Sequence, residues 1–150
     1  MNALLKRTAI FAVCMCACAF PDFLLWATVH DGRSFAIEAA LPVLEDKVRP
    51  FKLRDAWWEG SMGSGKVKLI RHQLFRRNDY WFWVGVSDAS AEVSIHLYDE
   101  NGKLVESESW QKGRVAGVRV SPKATGSYYI RVKIESAARP VEWAVIYAYR

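Results

Sequence analysis

The sequence predicts an antiparallel β-sandwich that is preceded by a short helical extension. Apolar and polar residues alternate with a period of two in several runs after residue 66, which is typical of strands with one buried face. These runs recur about every ten residues, the spacing of an all-β sandwich. Helical spacing is confined to an earlier stretch, residues 34–48. A chain of 150 residues is long enough for one such domain.

The first residues have the features of a secretion signal. Lys6 and Arg7 form a positive start, and residues 8–20 form an apolar segment of the expected length. Residues 17–19 then offer a small-x-small cleavage pattern. The predicted division is a signal peptide, an extension with an amphipathic helix and a β-sandwich domain: 1–19, 20–54 and 55–150.

Cleavage of this leader predicts a periplasmic or secreted protein. If the leader is retained, the apolar run over residues 8–29 anchors the protein in a membrane instead. Pro21 and Asp22 interrupt that run, and a charge there is costly. A third interpretation is a lipid on Cys18, although the residues before it depart from the usual lipidation motif.

Charge and cysteine content narrow the class of protein. The chain has 21 basic and 16 acidic residues, and two of the basic ones belong to the leader. This mild excess does not favour a nucleic-acid partner, which needs basic residues gathered on one face. All three cysteines, at positions 14, 16 and 18, lie in the leader. The mature domain is therefore expected to be held by its core and not by disulfides.

Residues 34–48 predict an amphipathic helix that covers one side of a sheet. Ser34 is a candidate cap, and Pro50 is expected to end the helix. Pro42 implies either a kink or a start near Leu41, because an interior proline removes a backbone hydrogen bond. The apolar residues that define the predicted buried face are Ile37, Leu41, Leu44 and Val48.

A glycine-rich segment, residues 60–66, follows Trp57 and Trp58. It matches most of a phosphate-binding loop, but Val67 stands where that motif has a magnesium-binding serine or threonine. A phosphate loop also leads into a helix, whereas residues 67–75 alternate as a strand does. The segment is therefore predicted to be a flexible β-turn.

The run over residues 80–86 is apolar on both faces and predicts a strand covered on both sides. One face is expected to meet the opposing sheet, and the other face, with Trp81 and Trp83, the helix or the Trp57–Trp58 segment. The alternative is that Trp81 and Trp83 form an exposed aromatic platform for a sugar ring or a partner.

The remaining strands follow at regular intervals. After residues 93–98, Asn101 and Gly102 predict a tight hairpin turn, because both residues accept positive φ readily. Residues 103–107 are expected to form its return strand. Three later runs alternate as strands do: 115–120, 128–135 and 142–149.

The order of several motifs resembles the bacterial pre-peptidase C-terminal domain. The motifs are Trp58-x-Gly60, Asp79-Tyr80-Trp81-Phe82, Val93-x-Ile95-x-Leu97-Tyr98-Asp99-x-Asn101-Gly102-x-Leu104-Val105 and Pro122-x-x-x-Gly126-x-Tyr128-Tyr129-Ile130-x-Val132. The likeness covers about residues 56–149. It implies a jelly-roll-like sandwich outside the cytoplasm and a non-catalytic accessory role. No protease accompanies the motifs here, and a helical segment precedes them.

Catalytic signals are sparse. A nucleophilic triad needs a base, and the candidates are His30, His72 and His96. No Gly-x-Ser-x-Gly motif surrounds a serine, and no histidine pair has metal-ligand spacing. We therefore expect a non-enzymatic binding or interaction module, with a carbohydrate-binding module and a small secreted hydrolase as alternatives.

The expected partner is a protein or a polysaccharide in the cell envelope or outside the cell, and a membrane only if the leader is retained. The residues predicted to contact it are Trp81, Trp83, Trp110 and Tyr129. No cofactor is expected, except that loop oxygens suggest a calcium site. The candidate calcium ligands are Asp88, Asp99 and Asn101.

Overall fold

A computed structural model describes residues 31–150. The predicted signal peptide, its two alternatives and His30 therefore lie outside the described residues. The elements are α1 (Gly32–Leu44), β1 (Lys52–Leu53), β2 (Trp58–Met62), β3 (Val67–Leu74), β4 (Tyr80–Val86), β5 (Glu92–Tyr98), β6 (Glu108–Lys112), β7 (Val115–Val120), β8 (Gly126–Ser136) and β9 (Val141–Tyr149).

Two antiparallel sheets pack against each other, which confirms the predicted β-sandwich. The larger sheet has the order β1-β9-β4-β7-β6, and β2 also pairs with β9. The smaller sheet has the order β3-β8-β5. Helix α1 contacts β4, β9 and β7, and so lies on the outer face of the larger sheet.

The main core fills the space between the two sheets, and its residues follow the predicted alternation. In β4, Phe82 and Val84 point into this core. In β8, Ile130 and Val132 do the same, and all four side chains have no exposed surface. In β8 a slip of one residue would turn Ile130 and Val132 to solvent, so the alternation excludes such a slip. In β4 both faces are buried.

A second apolar cluster lies between the larger sheet and α1. Trp81 and Trp83 stack with ring centroids 5.5 Å apart, and they are 4% and 0% exposed. They pack with Ala36 and Ala40 of the helix. The helix-covered interpretation is thus confirmed, and the exposed platform of Trp81 and Trp83 is wrong. Covering them removes two large apolar surfaces from water.

The helix differs from its prediction at both ends. It begins at Gly32, because the Asp31 carboxylate caps it by accepting hydrogen bonds from the Ser34 amide (2.9 Å) and hydroxyl (2.8 Å). It ends at Leu44, with Pro42 inside its last turns. The extension to Val48 is wrong, since that side chain is 86% exposed and beyond the helix.

The buried face of the helix consists of small residues. Gly32, Ala36 and Ala40 are its buried positions, whereas Leu41 is 41% exposed. A Cβ atom at Gly85 of β4 would lie 2.2 Å from the Gly32 carbonyl oxygen and 2.7 Å from the Ala36 nitrogen. The backbones of α1 and β4 therefore touch, and larger residues on this face would hold them apart.

The predicted Asn101–Gly102 hairpin is wider than expected. Of Asn101 and Gly102, only Gly102 has positive φ, at 75°, and the return strand is reduced to a single bridge from Tyr98 to Leu104. The Asp99 carboxylate accepts the amides of Asn101 and Lys103, both at 2.9 Å. These side-chain bonds reinforce a backbone turn in which the Gly102 amide donates to the Asp99 carbonyl at 3.0 Å.

Three short strands were not predicted, and all lie toward the margins of the larger sheet: β1, β2 and β6. Part of the glycine-rich segment, Gly60 to Met62, belongs to β2. A turn follows, with Gly65 at φ 75°. Strand β3 comes next and not a helix, so the surroundings of a phosphate-binding loop are not present at this segment.

Candidate binding surface

The four residues predicted to contact a partner lie on two opposite sides of the sandwich. Trp81 and Trp83 are buried beneath α1. Trp110 is half-buried against the same cluster, and its ring lies over Gly117, where a Cβ atom would be 2.7 Å from the ring. Tyr129 is on β8 in the smaller sheet. The structure therefore does not bring these four side chains together.

Tyr129 belongs to a surface that we call the open face, the outer face of β3, β8 and β5. In β8, Ile130 and Val132 point into the core. By alternation, Tyr129 and Arg131 therefore point outward. Two rows cross the three strands in register, Arg71–Tyr129–Tyr98 and Leu69–Arg131–His96. Leu69 is 58% exposed.

No helix among the described residues packs on the open face, since α1 contacts strands of the larger sheet. Adjacent strands are about 4.8 Å apart, so a row of three residues spans about 10 Å. Two tyrosines are thus neighbours on a surface that also carries Arg71 and Arg131. Tyrosine gives contact area with little loss of conformational entropy, which suits it to binding surfaces.

Hydrogen bonds hold several groups of the open face in place. Arg71 Nε donates to the Ser127 hydroxyl at 3.1 Å. His96 Nδ1 lies 2.7 Å from the Glu106 carboxylate, which also accepts the Leu97 amide at 3.2 Å. The Glu106 side chain is 8% exposed and that of His96 is 38% exposed. A largely buried carboxylate thus fixes the orientation of a surface histidine, and the other ring nitrogen is not held by it.

The sequence missed most of the open face, although it carried a usable signal. Leu69, Arg71 and Tyr98 are the outward members of strands that had been predicted. An exposed leucine beside arginine on the outer face of a regular strand is such a signal. The prediction of a binding surface favoured the tryptophans instead, because large aromatic residues occur in binding surfaces and in cores alike.

A groove of about 440 Å³ opens at the end of the sandwich, between the loop after β5 and the loop that joins β7 to β8. Lys103, Lys123 and Glu106 are among its lining residues. The Asp99 carboxylate at its rim is already hydrogen-bonded to two backbone amides. The groove therefore carries charges of both signs beside apolar residues such as Leu104 and Val105.

The candidate calcium ligands are not gathered in one place. Asp88 precedes β5 whereas Asp99 and Asn101 follow it, so they lie at opposite ends of the sandwich. The Asp88 carboxylate accepts the amide and the hydroxyl of Ser90, each at 2.9 Å; these bonds hold the pKa of Asp88 below its usual value. Residues 31–150 contain no group of three His, Cys, Asp or Glu side chains placed to hold a metal ion.

Asp79 forms a structural ion cluster at the start of β4. It accepts hydrogen bonds from Arg119 Nε (3.1 Å), Arg150 Nη2 (3.2 Å) and the Ser121 hydroxyl (3.0 Å). Burial alone would raise the pKa of Asp79, but hydrogen bonds from Arg119 and Ser121 and the Arg119 charge outweigh it and lower that pKa. These bonds join the ends of β4, β7 and β9.

The two described histidines have different surroundings: His96 has a carboxylate partner, Glu106, and His72 lies among aromatic rings. His72 is half-buried against Trp58 and Tyr147, with ring centroids 5.1 and 4.8 Å away. Its pKa is lowered, first by burial and then by the Arg54 charge. Among the hydrogen bonds of residues 31–150, none joins a serine hydroxyl to His72 or His96.

No protein-family model matches this sequence, and a comparison with characterised proteins gives no significant match. Within the described part of the chain, no helix is both long and apolar enough to cross a bilayer.

Proposed function

We propose that this protein is an exported, non-enzymatic binding module and that its partner contacts the open face. The unequal covering of the two sheets carries this proposal. The outer face of the larger sheet is closed by α1 over Trp81 and Trp83. The outer face of the smaller sheet keeps two tyrosines, arginines and an exposed leucine at its surface.

The chemistry of the open face suits a protein or a polysaccharide in the cell envelope or outside the cell. Aromatic rings and arginine are enriched where partners bury surface against each other. The export that we propose follows from the positively charged and apolar leader. The resemblance to the pre-peptidase C-terminal domain supports an accessory role of the same kind.

Carbohydrate binding is the second candidate function, and the neighbouring Tyr98 and Tyr129 favour it. The two tyrosines are paired residues of adjacent strands, so one face of a sugar ring can contact both side chains. This candidate no longer depends on Trp81 and Trp83, since both are buried.

Site-specific crosslinking in the native host tests the proposal. A photoreactive amino acid replaces Tyr129 in the full chain, and a control chain carries it at Glu38, an exposed position on α1. We expect a discrete adduct from position 129 and none from position 38. Equal labelling at both positions, or none at 129, would contradict the open face as the binding surface.

Retention on polysaccharide columns separates the two candidate partners. If a sugar is bound, Tyr129→Ala abolishes retention without lowering thermal stability, because the partly exposed ring lies outside both core clusters. Trp81→Phe serves as the control and leaves retention unchanged. Crosslinking to a protein together with no retention on any column favours a protein partner.

A further inference from the structure

We propose that the edge strand β3 binds an extended acidic segment of a partner protein as an additional strand of the smaller sheet. This inference deepens the proposed function and rests on it, because it assumes that the partner is a protein. It adds a second contact region beside the open face and specifies the chemistry of the partner.

Strand β3 has an unoccupied edge. It is the outer strand in the order β3-β8-β5, and its register with β8 is unbroken from Val67 to Leu74. Ile134 donates its amide to the Lys66 carbonyl at 3.1 Å. By the alternation of antiparallel pairs, residues 68, 70, 72 and 74 also bond to β8, and the backbone groups of residues 67, 69, 71 and 73 point away from it.

The opposite edge of the same sheet is already covered. Val105 donates its amide to the Leu97 carbonyl at 3.0 Å, and Asp99 donates to Lys103 at 2.9 Å. The Glu106 carboxylate takes the Leu97 amide. Among the described residues, β3 is therefore the edge of the smaller sheet at which a further strand can be added.

The positive charge along β3 favours a partner segment of negative charge. The chain has no acidic residue between Ser61 and Asn78. All basic residues in that interval are exposed: Lys66, Lys68, Arg71, Arg76 and Arg77. A strand placed beside them gains from carboxylates and is repelled if it carries cations.

Apolar side chains at the same edge indicate that the partner segment also carries apolar residues. Val67, Leu69 and Phe75 are 44%, 58% and 52% exposed. Val67 and Leu69 lie two residues apart and so face the same side of the strand. The best complement is a segment in which acidic and apolar residues alternate.

A second copy of this chain is a poor occupant. Pairing β3 with itself would bring Lys68 and Arg71 of one copy close to the same cations of the other. Edge lysines ordinarily prevent strands from pairing with their own kind. The same charges favour a strand of opposite sign, so the positive edge selects among partners.

Peptide binding to the full chain tests this inference. The probe is a synthetic peptide of about ten residues that alternates Glu and Val, and its affinity is measured by titration calorimetry. We expect the double variant K68E/R71E to weaken binding at least about tenfold, because it reverses two charges beside the added strand. Lys112→Glu is the matched control, since Lys112 is an exposed cation on the edge strand of the other sheet, and it leaves the affinity unchanged.

Hydrogen exchange shows whether the peptide pairs as a strand. The bound peptide should slow exchange at the amides of Val67, Leu69, Arg71 and Gln73. A peptide with proline at alternate positions cannot donate the ladder bonds and should not bind. The inference is overturned if the proline peptide or a Lys–Val peptide binds equally well, if β3 gains no protection, or if anionic phospholipid vesicles bind and the Glu–Val peptide does not.

The Tyr129 crosslink separates the two proposals. If the adduct persists while the peptide fails to bind, strand addition is refuted and the open face retains its proposed function. If the chain with the photoreactive residue at position 129 gives no adduct, the proposed function fails together with the inference that rests on it.

Discussion

Gly32 and Gly85 show how a missing side chain decides the packing of an entire helix. A Cβ atom on Gly32 would lie 2.5 Å from the Gly85 carbonyl oxygen, and one on Gly85 would lie 2.2 Å from that of Gly32. Backbone atoms cannot yield as the end of a flexible side chain can. Each glycine is therefore required by the other, and the helix is able to lie directly on β4.

Gly85→Ala is expected to destabilise the fold by about 3 kcal/mol, because the added methyl group forces α1 away from the sheet. Urea unfolding followed by tryptophan fluorescence measures this loss. Gly63→Ala is the control, since a Cβ atom there meets nothing within 4 Å. A Gly85→Ala protein as stable as the wild type would contradict the close contact of α1 and β4.

His72 makes stability depend on pH. Burial, and secondarily the Arg54 charge, lower the pKa of His72 in the folded state, so the unfolded chain takes up the proton more readily. The contribution of neutral His72 is fully present above the unfolded pKa of about 6.5. It is lost as the pH falls through that value toward the folded pKa.

We therefore expect the free energy of unfolding to fall between about pH 7 and pH 5, with a slope from this group of at most about 1.4 kcal/mol per pH unit. His72→Phe keeps a ring in the same place and should remove that part of the slope. Urea titrations of both proteins across the range measure it. Identical pH profiles would show that His72 does not titrate as the structure implies.

At the scale of the element, α1 shows why periodicity alone misplaced a helix. The predicted stripe ran through Leu41 and Val48 because large apolar residues weigh most in such patterns. The residues that face the sheet are Gly32, Ala36 and Ala40, which are small. Trp81 and Trp83 supply the apolar volume from the sheet side. The small residues of the helix let its backbone approach the sheet closely, and the tryptophans fill the space beside it.

The Asp31 cap gives an element-scale prediction. Asp31→Ala removes the acceptor for the Ser34 amide and hydroxyl and should lower stability by about 1 kcal/mol. Thermal unfolding measures this change. Asp31→Asn keeps an acceptor at the cap and should recover most of the loss. If the asparagine and alanine variants unfold alike, the cap does not hold the first turn.

At the scale of the whole molecule, the two sheets share one core, and their outer faces differ in what covers them. Both sheets contribute to the same core, while α1 covers one outer face and leaves the other open. The proposed partner contacts lie on the open side, on β3 and β8. A rigid sandwich of this kind can present a surface without any conformational change.

The described part of the chain holds together without disulfides, because no cysteine occurs after position 18. A reducing agent should therefore leave the melting temperature of the full chain unchanged. Calorimetry with and without reductant tests this expectation, and a drop of several degrees on reduction would contradict it.

The sequence by itself determined the sandwich and how the residues of its central strands divide between the two faces of each strand. Alternation in β4, β8 and β9 is local information, and each of these strands has one face in the main core. It did not determine β1 and β2, because these short strands form by pairing with β9, which is far away in the chain. It also missed β6, although β6 pairs with the next strand, β7, across a turn at Gly113 and Arg114.

Only the tertiary structure decided which apolar residues are covered and which remain at the surface. Trp83 and Tyr129 both alternate correctly in their strands, yet one is buried and the other lies on the open face. The difference arises because α1 packs on one sheet and not on the other, through a glycine contact that carries no hydrophobic pattern. Strand alternation specifies two faces, and the choice of which face receives the helix depends on the shapes that meet there.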